Sequence, residues 1–318
     1  MPIPDLADSD VLRAALAPLE LSPVGRVETI GDEYGFASSR VKVLVGGADG
    51  ERTVVVKGWD VASHGVAEIT FYEHWAPGLP ARLADCYGAH SDDHIGVLVL
   101  EDLPVARQGD AAVPFPAADA RAIALDVASI HVATRGAGTD RPPPRPAREA
   151  DWHASRRAAH LERHGRPRDR VLAGIIERAE RADALATDIL KNVTPGLIHG
   201  DLHADNVVFL ADGTPVLLDW ARPLWGPVAD PLASLLLGTE PAGHDGAVEA
   251  LRSKVPVGDD EIHAAMLRRL VTATLGTAIW QPQTERQRRL VDAGLAQAEV
   301  AAAWLGGVAP GLVAALGR

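Results

Sequence analysis

Two neighbouring stretches decide how this sequence is interpreted: LIHGDLHADNVVF (197–209) and VLLDW (216–220). The first holds a cluster of polar side chains between apolar runs, and the second is an apolar run that ends in a carboxylate. The intervening ADGTP is typical of a hairpin turn. A hairpin there would bring Asp201, Asn206 and Asp219 to the same end of two strands, and we therefore expect them to form one site.

These three side chains suit phosphoryl transfer. The reaction uses a carboxylate that accepts a hydroxyl proton, oxygen ligands for Mg²⁺ and a cation on the phosphates. Magnesium takes one or two oxygen ligands from the protein, while phosphates and water supply the others. Asp201 and Asn206 have the separation of the Asp-x-x-x-x-Asn catalytic loop of protein kinases. The spacing therefore favours an enzyme that transfers phosphate.

The segment as a whole resembles the hallmark of the aminoglycoside phosphotransferase family. That hallmark is His-Gly-Asp-x-His-x-x-Asn followed by an apolar strand and Asp, found here at 199–206 and at Asp219. The family is the small-molecule branch of the protein-kinase-like fold. The resemblance implies a bilobal α+β fold with a small antiparallel-sheet N-terminal lobe, a larger, mostly helical C-terminal lobe, and ATP between them. It also implies that Asp201 is the catalytic base for the acceptor hydroxyl and that Asn206 and Asp219 hold one or two Mg²⁺ ions.

The cation expected on the phosphates is Lys57. The runs VKVLV (41–45) and TVVVK (53–57), which flank GGADG, predict a β-hairpin that ends at this lysine. The helix expected behind it carries Glu68 in a pattern, Glu-x-x-Phe-Tyr, like that of the family. The resemblance implies that Lys57 neutralises phosphate charge and that Glu68 orients it. Glu73 is the alternative partner, because the two glutamates lie about 140° apart around a helix and only one can face the lysine.

Two further segments are expected to contact the nucleotide. The apolar run 97–100 and the residues after it resemble the family's hinge strand, whose backbone bonds the adenine edge. The candidate contacts there are Glu101, Asp102 and Leu103. The segment GDEYGFASSR (31–40) lies where a phosphate-covering loop is expected, although it is not Gly-x-Gly-x-x-Gly and its two carboxylates would repel phosphate. We therefore expect Ser38 and Ser39 to lie closest to the nucleotide.

The character of the sequence changes near residue 101. Strand-like runs dominate before it, and apolar residues recur at helical spacing after it. The helical stretches are expected at about 119–134, 170–191, 259–280 and 285–305. We therefore predict an N-terminal nucleotide-binding lobe at residues 1–101 and a C-terminal catalytic and substrate-binding helical lobe at residues 102–318.

The composition narrows the class of partner and the compartment. The 318 residues include 31 Lys and Arg against 43 Asp and Glu, a net charge of −12, so nucleic-acid binding, which needs clustered basic residues, is not expected. Cys86 is the single cysteine, which excludes an intramolecular disulfide and a cysteine-based zinc cluster. The sequence shows no signal peptide and no apolar run of about 18 residues. We expect a cytoplasmic protein, monomeric or homodimeric, that does not contact a membrane.

The acceptor is expected to be a small molecule that carries a hydroxyl group. The interval from Asp219 to Asp230 is too short for a long peptide-docking activation segment, and Trp220-Ala221 replaces the Phe-Gly of protein kinases. The resemblance implies ATP as the donor, with GTP as an alternative, Mg²⁺ as the metal, and an antibiotic (aminoglycoside or another class) as the acceptor, with resistance as the result. Two alternatives stay open: a metabolic kinase for choline, homoserine, a sugar or an amine, and a non-catalytic kinase-like nucleotide-binding module.

Overall fold

The computed structural model describes residues 10–30, 38–48, 50–60, 66–136, 145–146, 170–279 and 284–315. A five-stranded antiparallel sheet lies in the N-terminal part, with the strand order β1-β2-β3-β5-β4. Its strands are β1 (Ser22–Ile30), β2 (Ser38–Gly47), β3 (Gly50–Asp60), β4 (Cys86–Ser91) and β5 (Ile95–Glu101). The long central strands are rich in valine, whose branched side chain suits a pleated sheet.

Strands β2 and β3 form the hairpin that the sequence predicts. Gly47 pairs with Gly50 at the turn, and the pairing continues without a break to Ser38 and Trp59. Gly50 has a φ of 102°, a conformation that glycine adopts at little cost because it has no Cβ atom. The regular register places Arg40 directly opposite Lys57.

The two faces of this sheet are covered differently, because successive side chains of a strand point in opposite directions. Val54 and Val56 of β3 pack in the apolar cluster that contains α1 (Asp10–Leu16). Lys57 points to the other face, where α2 (Val66–His74) lies and where the larger core of the protein begins. The hairpin therefore presents its lysine to the C-terminal part of the chain.

Helices dominate the rest of the described chain. They are α3 (Ala117–Thr134), α4 (Arg170–Leu190), α5 (Ala229–Leu237), α6 (His244–Arg252), α7 (Asp259–Ile279), α8 (Glu285–Val308) and α9 (Pro310–Ala315). The four helices predicted from apolar spacing are confirmed as α3, α4, α7 and α8. Both α4 and α5 pack on α7, while α3 packs on α6, so that their apolar sides share one core.

Two three-stranded sheets hold the polar segment 199–206. Their strands are β6 (Val105–Gln108), β7 (Arg145–Pro146), β8 (Gly196–Ile198), β9 (Val207–Leu210), β10 (Pro215–Leu217) and β11 (Leu224–Gly226). The predicted hairpin is confirmed as β9–β10, with β6 on the other side of β9, and β11 lies between β7 and β8. The polar segment runs from β8 to β9, so each of its two ends is held by a different sheet.

The last strand of the five-stranded sheet along the chain is β5, which ends at Glu101. The next strand, β6, pairs with β9 and belongs to a different sheet. The change of partner lies within the segment predicted as a hinge. The division into domains at residues 1–101 and 102–318 stays a prediction.

Candidate active site

Lys57 and Glu68 form a buried ion pair between β3 and α2. The distance from Lys57 Nζ to Glu68 Oε2 is 2.5 Å, and the two residues are 5% and 1% exposed. Burial raises the pKa of Glu68, although the charge of Lys57 opposes the shift. Glu73 lies on another side of α2, half exposed and 3.8 Å from His74. Of the two glutamates considered from the sequence, the structure therefore places Glu68 against the lysine.

Asp219 links the sheet to the polar segment. Its Oδ1 accepts a hydrogen bond of 2.7 Å from Lys57 Nζ, and its Oδ2 accepts one of 3.0 Å from Arg40 Nη2. Burial disfavours the carboxylate, but the two cations outweigh burial and lower the pKa of Asp219 to about 2. Asp219 also has a φ of 60°, an uncommon value for a residue with a Cβ atom. It is therefore an ionised carboxylate on a residue with a left-handed backbone conformation.

His199 fixes the loop that contains Asp201. Its Nε2 lies 2.7 Å from the carbonyl oxygen of Leu218, and its Nδ1 accepts a hydrogen bond of 3.3 Å from the backbone N–H of Asp201. This pair of contacts requires the neutral ring with the proton on Nε2. Burial lowers the pKa of His199, which favours the same neutral form. Its contacts make His199 a link between the residue before Asp219 and the backbone of Asp201.

Gly200 allows the chain to turn between His199 and Asp201. Its φ is 73°, which favours glycine. A Cβ atom there would also collide with the backbone carbonyl oxygen of Arg222. The glycine of the motif is thus explained by backbone conformation and by close packing, in addition to its place in the resemblance.

Asn206 connects Asp201 to the strand that leads to Asp219. The side-chain Nδ2 of Asn206 donates to the backbone carbonyl oxygen of Asp201 and to His203 Nε2, both at 3.0 Å. The backbone carbonyl oxygen of Asn206 accepts a 2.8 Å hydrogen bond from the N–H of Leu218. Because the amide nitrogen makes both side-chain bonds, the amide oxygen is left as the atom to bind a cation. Asp201, Asn206 and Asp219 are therefore held together by short backbone and side-chain contacts.

Asp201 differs from the other groups in its exposure. Its side chain is 42% exposed, and its carboxylate lies 4.0 Å from His203 Nε2. Its backbone, in contrast, is held by His199 and Asn206. Asp201 is thus a fixed residue whose carboxylate can be reached by a molecule from outside.

An aromatic stack joins α2 to the segment after Asp219. The rings of Phe71 and Trp220 are parallel within 4°, with their centroids 4.1 Å apart. Trp220 also lies 4.5 Å from the ring of His199 and donates from Nε1 to the carbonyl oxygen of Leu217. The helix that carries Glu68 is therefore packed directly on the residue that follows Asp219.

The side chains of the predicted hinge contact other protein groups. Both carboxylate oxygens of Glu101 lie 2.6 Å from Arg82 Nη2, and Asp102 lies 3.2 Å from Lys42 Nζ. The hydrogen bond with Asp102 raises the pKa of Lys42. The carbonyl oxygen of Leu103 accepts from the N–H of Val105 at 2.8 Å. The side chains of Glu101 and Asp102 are thus bound to other protein groups, and the backbone carbonyl oxygen of Leu103 is bonded within the segment.

The two predicted serines are described only in part. Ser38 and Ser39 open β2, where their backbones pair with Trp59 and Gly58. Their side chains, and the rest of the predicted phosphate-covering loop at 31–37, lie outside the described residues.

Arg40 is the charged residue of this site that the sequence reasoning did not select. The predicted hairpin contained the information needed to place Arg40 beside Lys57. Arg40 and Lys57 are equally far along the chain from the Gly47–Gly50 turn, so a regular register makes them neighbours. Register, however, depends on the residue at which the turn closes, and GGADG allows more than one choice.

The donor set fits magnesium. An amide oxygen and a carboxylate are hard oxygen ligands, and Mg²⁺ needs few of them from a protein. Among the described residues, this site included, no three or more His, Cys, Asp or Glu side chains are grouped so that they could hold a metal ion without other ligands. None of the described helices has the length and apolar character needed to cross a membrane.

Comparison with known proteins identifies a family and several solved structures that the chain resembles. Residues 37–260 match the model of a family described as the phosphotransferase enzyme family. No curated protein matches the sequence. Among solved structures, the chain is similar to an aminoglycoside phosphotransferase from Alicyclobacillus acidocaldarius subsp. acidocaldarius DSM 446, with a TM-score of 0.58 and 16% identity over 94% of this chain and 96% of that one.

Two metabolic kinases have the same fold. A microcompartment-associated aminopropanol kinase has a TM-score of 0.61 and 13% identity over 94% of this chain and 98% of that chain. Choline kinase LicA from Streptococcus pneumoniae has a TM-score of 0.58 and 13% identity over 90% and 96%, respectively. These likenesses confirm the bilobal, kinase-like α+β fold that the sequence predicted.

Proposed function

Since the chain belongs to the phosphotransferase enzyme family, as its motif predicted, and is a kinase of small-molecule hydroxyl groups, we propose that it transfers the γ-phosphate of ATP to an antibiotic. The observation that carries the proposal is the contact between Lys57 and Asp219, at 2.7 Å. It joins the cation of the sheet to the oxygen-bearing side chains of the helical part. A cleft between two such parts is a common place for a ligand.

Asp201 acts on the acceptor in the proposed reaction. Its exposed carboxylate orients the acceptor hydroxyl and takes its proton as the oxygen attacks the γ-phosphorus. The new O–P bond forms while the bond from the γ-phosphorus to the bridging oxygen breaks, and ADP leaves with that oxygen. The transfer is direct and needs no covalent enzyme intermediate.

The remaining groups act on the nucleotide. Lys57, oriented by Glu68, neutralises phosphate charge, while Asn206 and Asp219 would hold Mg²⁺. When bound, the metal neutralises charge on the phosphate oxygens. The backbone at Glu101, Asp102 and Leu103 would bond the base, with adenine preferred and guanine as the alternative, and Ser38 and Ser39 would lie near the phosphates.

The acceptor proposed first is an aminoglycoside or another antibiotic, so that phosphorylation gives resistance. Support comes from the motif and from the similarity to an aminoglycoside phosphotransferase. The similarity to aminopropanol and choline kinases supports a second candidate, a metabolic kinase for an amino alcohol. In either case we propose a cytoplasmic protein, because ATP is available in the cytoplasm. The protein is proposed to be a monomer or a homodimer.

A screen of ADP release over a library of hydroxylated antibiotics and metabolites tests the proposal. We expect one class of acceptor to stimulate ADP release in the presence of Mg²⁺. The matched control is Asp201→Asn, because it keeps the backbone contacts of Asp201 and removes the base. This variant should bind ATP like the wild type and lose transfer by a factor of at least about 100.

Resistance of a host that expresses the gene, measured against the same antibiotics, separates the two classes of acceptor. Raised resistance to the antibiotic that stimulates ADP release supports the first candidate. Stimulation by amino alcohols alone supports the second. Full transfer activity in Asp201→Asn would contradict the assignment of the base.

A further inference from the structure

Arg40 is a cation of the site to which the proposed mechanism assigns no task. It pairs with Lys57 across the β2–β3 hairpin and with Ile30 across the β1–β2 pair. Arg40 thus lies close to where β1 and β2 lead into residues 31–37, the segment that the sequence predicts to cover the phosphates. Its position is fixed by backbone hydrogen bonding on both sides.

The guanidinium of Arg40 has capacity for further bonds. Its Nη2 donates to Asp219 at 3.0 Å, and its side chain is 33% exposed, against 6% for Lys57. An arginine carries five N–H donors. Within the described part of the chain, Asp219 is the carboxylate that it contacts, so several of these donors are left for the oxygens of an anion bound beside it.

The charge balance of the site gives Arg40 a physical task. Lys57 is shared between two carboxylates, Glu68 and Asp219, and these three groups together carry a net negative charge when all are ionised. Such a set repels a triphosphate. Arg40 brings the set to neutrality, and at such short separations one added charge has a large effect on the binding of a polyanion.

We propose that Arg40 is a second phosphate-binding cation, which donates hydrogen bonds to phosphate oxygens of the bound nucleotide. The proposal rests on the proposed function, because it requires ATP as the donor. Lys57 supplies a buried point charge, and Arg40 supplies a partly exposed planar group that can bond two phosphate oxygens at once. The site then binds the phosphates with two cations from adjacent strands.

Binding of ATP, ADP and adenosine, measured by titration calorimetry in EDTA, tests the proposal without the metal and without catalysis. We expect Arg40→Ala to lower the affinity for ATP about tenfold or more, the loss that accompanies one charged hydrogen bond. The affinity for adenosine should not change. Arg40→Lys, which keeps the charge but not the fork of donors, should fall between the wild type and Arg40→Ala.

Arg52→Ala is the matched control. Arg52 lies on the same hairpin near its turn, opposite Val45, and its guanidinium stacks on the ring of Tyr87 at 4.4 Å. Its removal changes the net charge of the protein by the same amount as Arg40→Ala. We expect Arg52→Ala to bind ATP like the wild type.

Each other outcome has a distinct meaning. If the wild type binds ATP and Arg40→Ala binds it equally well, the inference is overturned and the proposed function stands. Equal losses for ATP and adenosine also overturn it, because a general disturbance of the sheet would weaken both ligands. If Arg40 acts through its charge alone, Arg40→Lys should bind ATP in EDTA as tightly as the wild type, and this result would overturn the proposed hydrogen bonds. If the wild type binds ATP neither in EDTA nor in the presence of Mg²⁺, the proposed function itself fails.

Discussion

The Lys57–Glu68 pair is a residue-scale feature with a measurable cost when it is broken. Both side chains are almost fully buried, so removing one partner leaves an uncompensated charge in the interior. We expect Lys57→Met to lower the free energy of unfolding by about 3 kcal/mol or more. Urea denaturation at neutral pH measures this loss. Transfer activity should disappear as well, because the proposed mechanism uses Lys57 to neutralise phosphate charge.

The double variant Lys57→Met/Glu68→Gln separates charge from packing. Replacing both members of a buried ion pair by neutral residues of similar size is often close to neutral for stability. We therefore expect the double variant to recover much of the lost stability and to stay inactive. A double variant as unstable as Lys57→Met would contradict the view that the uncompensated charge of Glu68 causes the loss.

At the scale of elements, α8 is attached to the segment that holds Asn206. Arg286, in its first turn, lies 3.3 Å from Asp205, and Asp205 also accepts a hydrogen bond of 2.8 Å from the N–H of Ala111. Further along α8, Gln297 donates to the carbonyl oxygen of Ala111. The helix thus helps to hold the polar segment in place through Asp205 and Ala111.

We expect Arg286→Ala to lower kcat/KM for the acceptor about tenfold, because small displacements of a reacting group are costly. Steady-state kinetics measure the effect. Arg288→Ala is the control, since Arg288 lies on the same helix, is exposed and pairs with Glu285 at 3.0 Å. If both variants have the activity of the wild type, the contact of α8 with Asp205 does not position the catalytic segment.

Local patterns account for the elements that the sequence predicts well. Four helices follow from the spacing of apolar residues, and both hairpins follow from turn residues between apolar strands. Contacts between distant elements are not encoded in such patterns. Three contacts of this kind are the stack of Phe71 on Trp220, the packing of α1 on the sheet and the pairing of β6 with β9. Each of them can be predicted only when the tertiary arrangement of the chain is known.

The residues of the candidate site also divide into those that local sequence patterns predict and those that depend on contacts between distant elements. Asp201, Asn206 and Asp219 lie on one short stretch of chain, and their proximity could be predicted from a single hairpin. Glu68 could be narrowed to one of two residues, because the helix period separates it from Glu73. Arg40 depends on the register of β2 against β3, which a sequence with several turn residues leaves open.

At the scale of the whole molecule, buried ionisable groups make stability depend on pH. His131 on α3 is buried, and burial lowers its pKa to about 4; burial also lowers the pKa of His244. A histidine with a lowered pKa contributes stability that is complete above its unfolded value of about 6.5. This stability is lost as the pH falls toward the folded value, because the unfolded chain binds the proton first.

The loss should be visible between pH 7 and pH 5. His131 alone is expected to account for roughly 2 kcal/mol of unfolding free energy over this interval. Asp126, on the same helix, acts in the opposite direction, because burial raises its pKa to about 6 and its contribution is lost as the pH rises. The effect of His131 is therefore best measured as the difference in unfolding free energy between the wild type and His131→Leu. Asp126 is present in both proteins, so its contribution cancels. Urea denaturation at several pH values should give a smaller decrease for His131→Leu, and equal decreases would show that the protonation of His131 is not coupled to folding.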